Sequence, residues 1–118
     1  MLAVIFEVYP IESGMDEYLA IAASLREFLQ DRPGFISIER FQSFADEHKL
    51  LSLSFWESEE AIEAWRNVLE HRAAQQKGRR ELFSRYRIRV AQVVRDYTES
   101  ERTQAPSDSN AALVELHA

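Results

Sequence analysis

The chain has no cysteine and only three glycines and three prolines in 118 residues. The missing cysteine excludes disulfides, thiolate zinc sites, iron–sulfur clusters and a cysteine nucleophile, and it makes a reducing cytoplasm the natural compartment. The glycines stand too far apart to build a phosphate-cradling loop. No serine sits in a Gly-x-Ser-x-Gly turn. His48, His71 and His117 fall in segments that read as a turn, a helix and a tail, without metal-ligand spacing, so no metal is expected. No apolar run approaches a membrane span. The opening "MLAVIFEVYP" carries no basic flank and is interrupted by Glu7, so it reads as a strand and not as a signal peptide.

Basic charge is also in deficit: the formal net charge is -6, which argues against nucleic acid as a partner. The average hides an asymmetry. Between His71 and Arg95 stand eight of the 14 basic residues and only one acid, Glu81. Such a run could hold an anionic ligand, but charge runs are usually solvated or paired with a chain's own acids.

What is present is one domain's worth of apolar pattern, 46% of the residues. "LAVIFEVY" (2 to 9) is apolar on both alternating faces, which predicts a strand covered on both sides. "PIESG" breaks it, with Ser13 placed to cap. Met15, Tyr18, Leu19, Ala22, Leu25 and Leu29 then recur at helical spacing, predicting a helix over about 14 to 31 that "DRPG" ends. "FISIERFQSF" (35 to 44) and "LLSLSFW" (50 to 56) read as a hairpin around the polar "ADEHK". Ser58, followed by Glu59 and Glu60, is a good N-cap for a second helix that runs to about Gln76. Gly78 interrupts it, "RRELFSRY" can add a further helical turn, and the last strand is expected over 87 to 97.

From Thr98 the composition turns polar, so residues 1–97 are expected to form the domain and 98–118 an unstructured tail. The closing "AALVELHA" regains apolar character and could instead add a strand or dock on a neighbour. The order βαββαβ predicts an α+β, ferredoxin-like split βαβ sandwich: a four-stranded antiparallel sheet with both helices on one face. The other face, apolar in the first strand, is expected to meet a second copy of the chain.

Candidate site residues follow from the same pattern. At about 100° per residue, Trp65 lies in the middle of the second helix's apolar stripe, while His71 falls about 120° away on its polar flank. Trp65 is either a core anchor or the wall of a pocket for a planar ligand. His71 is either a solvated histidine or an acid/base group at a cleft edge. Glu7 is a lone carboxylate in an apolar strand. It is either paired with an arginine such as Arg89 or Arg95 or, removed from water, available as a base.

Laid out in this order, "PGF" (33 to 35), "LSFWESEEAIEAW" (53 to 65), "EHRAAQ" (70 to 75) and "VAQVVRDY" (90 to 97) resemble the antibiotic biosynthesis monooxygenase superfamily of dimeric α+β barrels. The resemblance implies a homodimer joined through the sheet and a pocket between sheet and helices in each subunit. One branch oxidises phenolic or quinol-type aromatics without a cofactor, the activated substrate itself passing an electron to molecular oxygen. On that reading Trp65, Tyr9 and Phe55 line the substrate pocket, and Glu7 or His71 removes a substrate proton. A second branch degrades haem with a first-strand amide, a second-helix tryptophan and a histidine about three turns on. Here Glu7 and Gln75 stand at the first and last of those positions, so ordinary haem degradation is not expected. A non-catalytic dimeric binding or stress-related module is the alternative, and a haem-binding or haem-degrading monooxygenase, with His71 replacing the axial ligand, is a third.

Overall fold

A computed structural model of the chain describes residues 1–11, 14–75 and 83–117, with 70–75 and 113–117 described in backbone alone. The elements run β1 (Leu2–Pro10), α1 (Met15–Leu29), β2 (Phe35–Gln42), β3 (Leu50–Trp56), α2 (Glu59–Gln75), β4 (Phe83–Gln92) and α3 (Ser107–His117). β1 pairs antiparallel with β3 and β4, and β3 pairs antiparallel with β2, giving the sheet order β2-β3-β1-β4. This is the expected ferredoxin-like α+β sheet, with α1 joining β1 to β2 and α2 joining β3 to β4.

The two helix starts differ. α1 begins at Gly14 with no side-chain cap bond, and Asp16 and Glu17 face its positive end. Ser13, the expected cap, lies outside the described residues. At α2 the cap is as expected, with Ser58 Oγ accepting the Ala61 amide at 3.2 Å. The turn after α1 needs its glycine: Gly34 has φ +80° and its carbonyl accepts the Glu57 amide at 2.8 Å. A Cβ at Gly34 would stand 2.6 Å from Ala61 Cβ. This contact seats the start of β2 against the first turn of α2.

Strand alternation assigns the two sheet faces. Val4, Phe6 and Val8 of β1 face the helices together with Leu50, Ser52, Ser54 and Trp56 of β3. Buried side chains on that side form two clusters and not one. Val8, Tyr18 and Leu50 make the first; Leu29, Trp56 and Trp65 make the second. Ile5, Glu7, Tyr9, Leu51, Leu53 and Phe55 occupy the opposite face.

Three segments differ from the sequence reading, the first being the last strand, expected over 87 to 97, which ends at Gln92. Phe83–Tyr86, expected to be helical, belong to β4 because Phe83 and Tyr86 enter the ladder opposite Pro10 and Val8. Gly78 and the basic residues 77–80 lie outside the described residues. After β4, where composition predicts an unstructured tail, the chain carries α3. Local polar contacts hold this segment: Arg102 donates to Thr98 O at 2.9 Å, Asn110 Oδ1 at 2.8 Å and Ser109 Oγ at 2.8 Å. A composition argument measures what can be buried and misses such contacts. Among the described residues, no helix is long and apolar enough to cross a membrane.

Candidate functional site

Between the two core clusters, α1 and α2 stand off the sheet and leave a cavity of about 530 Å³. One wall is aromatic. Trp65 of α2, 9% exposed, stacks over Trp56 of β3, 1% exposed, with ring centroids 6.5 Å apart and planes 30° from parallel. Phe35 meets Trp56 edge-on at 5.3 Å. The Trp56 indole donates to Ser54 Oγ at 2.9 Å, which satisfies its one buried donor. The Arg32 guanidinium lies 5.9 Å from the Trp65 ring centre, within cation–π range. At the other end Tyr18, Phe6 and Phe83 close the cavity with edge-to-face contacts. The space is large, flat-walled and apolar, which suits a planar organic molecule.

Few polar groups interrupt it. Arg40 of β2 and Ser52 and Ser54 of β3 reach the lining from the sheet, and Arg66 reaches it from α2. Ser52 and Ser54 are buried. Arg40 lies opposite Ser52 in the β2/β3 ladder, and its Nε is buried without a hydrogen-bond partner. An unpaired buried donor of this kind costs about 1–3 kcal/mol. No aspartate or glutamate stands among the described lining residues.

The residues singled out from sequence separate on this geometry. Trp65 lines the cavity. Glu7, Tyr9 and Phe55 sit on the opposite face of the sheet, so they do not share a pocket with Trp65. Both faces of β1 are apolar, so alternation alone could not say which one the helices cover. Glu7 is ion-paired there, 3.4 Å from Lys49 Nζ and 3.4 Å from Arg89 Nη1. Tyr9 lies beneath the Arg85 guanidinium, 4.1 Å from its ring centre. His71 lies on α2, but its side chain is outside the described residues. Trp56 and Arg40 were not singled out. The signal was available in "LLSLSFW", where small serines share an alternating face with a tryptophan, and in the one cation among the positions of "FISIERFQ" that share Ile38's face.

For a haem, the described lining offers no histidine, cysteine or methionine as an axial ligand. β1 presents Phe6 to the cavity, whereas Glu7, which stands where the haem-degrading branch has its first-strand amide, faces away. The described residues supply no axial ligand for the group, and no step is routed through it.

Comparison with known proteins adds a lineage to this geometry. Residues 1–77 match the family described as antibiotic biosynthesis monooxygenase. The chain is 45% identical over 93 residues to the jasmonate monooxygenase ABM of Pyricularia oryzae, a match that covers 79% of this chain and 43% of the relative. It therefore spans less than half the length of that relative. Among solved structures, the haem degrader MhuD of Mycobacterium tuberculosis, with two haems bound in its active site, superposes with a TM-score of 0.66 at 19% identity. That match covers 83% of this chain and 100% of the other. SnoaB, a cofactor-independent oxygenase from Streptomyces nogalater, gives 0.62 at 13% identity, covering 80% and 94%. At such identities the two structures establish the fold alone.

Proposed function

This chain belongs to the antibiotic biosynthesis monooxygenase family, and from that premise we propose that it is a cofactor-independent monooxygenase acting on a small electron-rich aromatic of phenol or quinol type. The observation that carries the reading is the cavity of about 530 Å³ whose wall is the Trp56–Trp65 stack. A planar substrate laid on that wall buries its faces against indole, and the apolar surroundings keep water from a reactive anion. The 45% identical relative named a monooxygenase supports the reaction class.

In this reading the substrate supplies the electrons and dioxygen is the oxidant. A base removes the hydroxyl proton of the substrate, and the resulting phenolate passes one electron to dioxygen, leaving a radical that reacts at a ring carbon bearing hydrogen. The radical pair combines to form a C–O bond, the peroxide regains the proton, and loss of water leaves a carbonyl. One oxygen atom enters the product and the other leaves as water. Of the two bases considered, His71 is carried on the helix that lines the cavity, whereas Glu7 is engaged by Lys49 and Arg89 on the far face. We assign the proton transfer to His71.

The far face has its own role in the proposal. Ile5, Leu51, Leu53 and Phe55 form an apolar surface there, and Phe41, 41% exposed, extends it on β2. We propose that a second copy of the chain covers it, giving a homodimer joined sheet to sheet. Oxygen uptake with a panel of naphthols and quinols tests the activity. Saturable binding without uptake would favour the alternative, a non-catalytic binding module.

A further inference from the structure

We propose that Arg40 is the anion-recognition point of the cavity, so that its ligand is a mostly apolar molecule carrying one anionic oxygen group, either a carboxylate or an ionised phenol. Four observations converge on this. Arg40 Nε is buried and has no hydrogen-bond partner, and no ion pair or hydrogen bond joins the guanidinium to a described residue. A fixed cation fork in an apolar site is completed by a planar or point oxyanion. Its ladder neighbour is Ser52 and not a bulky residue, which leaves room over the sheet floor for a ligand group beside the guanidinium. The hydroxyls of Ser52 and Ser54 reach the same lining and are buried, placing further polar atoms on that floor.

Charge selection points the same way. The chain carries 20 acidic residues against 14 basic ones, yet the described lining includes two arginines, Arg40 and Arg66, and no carboxylate. Among the described residues, the acids of β1 and β2 are directed away from the guanidinium: Glu7 pairs with Lys49 and Arg89 across the sheet, and Glu39, next to Arg40 in β2, points to the opposite face by strand alternation. The ligand is therefore the group that completes Arg40. Its apolar body lies along Trp56 and Trp65 while its anionic oxygen meets the guanidinium.

This inference rests on the same cavity as the oxygenase reading and names the substrate's charge. It is tested by binding without turnover, so the two can fail separately. Under nitrogen, isothermal titration calorimetry compares 2-naphthoate, its neutral isostere 2-naphthamide, and 2-naphthol titrated below and above its ionisation. The wild type is expected to bind at least one anion, naphthoate or naphtholate, about tenfold or more tighter than naphthamide. Arg40→Met should abolish that preference while leaving naphthamide affinity within about twofold, which also shows that the variant is folded. Arg40→Lys should retain part of the preference. Preference for naphthoate identifies a carboxylate as the recognised group, and a pH-dependent preference for naphtholate identifies the phenol. Equal binding of anion and amide by the wild type, an unchanged preference in Arg40→Met, or no saturable binding of any of the three would overturn the proposal.

Discussion

Trp56 and Trp65 stack 6.5 Å apart across the gap between β3 and α2, and that pair is both the floor of one core cluster and the wall of the cavity. Removing one ring should therefore cost stability and ligand affinity together. Trp65→Ala is expected to destabilise the fold by about 3–5 kcal/mol, as for other large-to-small core changes. Trp65→Phe, which keeps a ring, should cost less. Urea unfolding followed by circular dichroism measures both, and a Trp65→Ala midpoint equal to wild type would contradict the packing described.

Gly34→Ala should be disruptive although it adds one methyl group. The residue holds φ +80°, and the new Cβ would meet Ala61 Cβ at 2.6 Å. Backbone strain of this kind costs about 1–3 kcal/mol before the steric contact is counted. A fall in thermal midpoint is expected, and the neighbouring substitution Pro33→Ala should lower it less. An unchanged midpoint for Gly34→Ala would show that the turn does not seat against α2 as described.

Glu7→Gln should leave ligand binding and turnover within about twofold of wild type, because Glu7 faces away from the cavity. Its loss should show in stability instead, by about 1 kcal/mol or less, since its partners Lys49 and Arg89 are partly exposed and salt screens such pairs. A collapse of turnover in this variant with its fold intact would return the proton transfer to Glu7.

The placement of Glu7 shows where sequence reasoning reached and where it stopped. The order of elements, the Ser58 cap and the inward phase of Trp65 were readable because each rests on a local period or a local hydrogen bond. Which face of β1 the helices cover was not. Leu2/Val4/Phe6/Val8 and Ala3/Ile5/Glu7/Tyr9 are nearly equal in apolar content, so only tertiary pairing separates them. Tyr9 and Phe55 were assigned to the pocket for the same reason. A cation at an alternating strand position ordinarily marks a solvated face, so the pattern alone does not place Arg40 in a site. Here Ser52 opposite it and the helices above enclose it.

The outer sheet face makes a further prediction. If a second copy covers Ile5, Leu53 and Phe55, light scattering should report a mass of twice 13.7 kDa. Leu53→Glu should shift it toward the monomer by placing a charge in the apolar contact. A monomeric wild type at micromolar concentration would remove the dimer from the account.

The cavity walled by Trp56 and Trp65 is proposed to activate dioxygen against an electron-rich aromatic without a cofactor. The direct measurement is oxygen uptake with isotopically labelled dioxygen over a naphthol and quinol panel, in chelator-treated protein. Turnover above buffer is expected, with one labelled atom in the product and the other in water, reduced at least about tenfold in His71→Ala and in Trp65→Leu. The absence of uptake above buffer across the panel, or uptake indifferent to both substitutions, would contradict it.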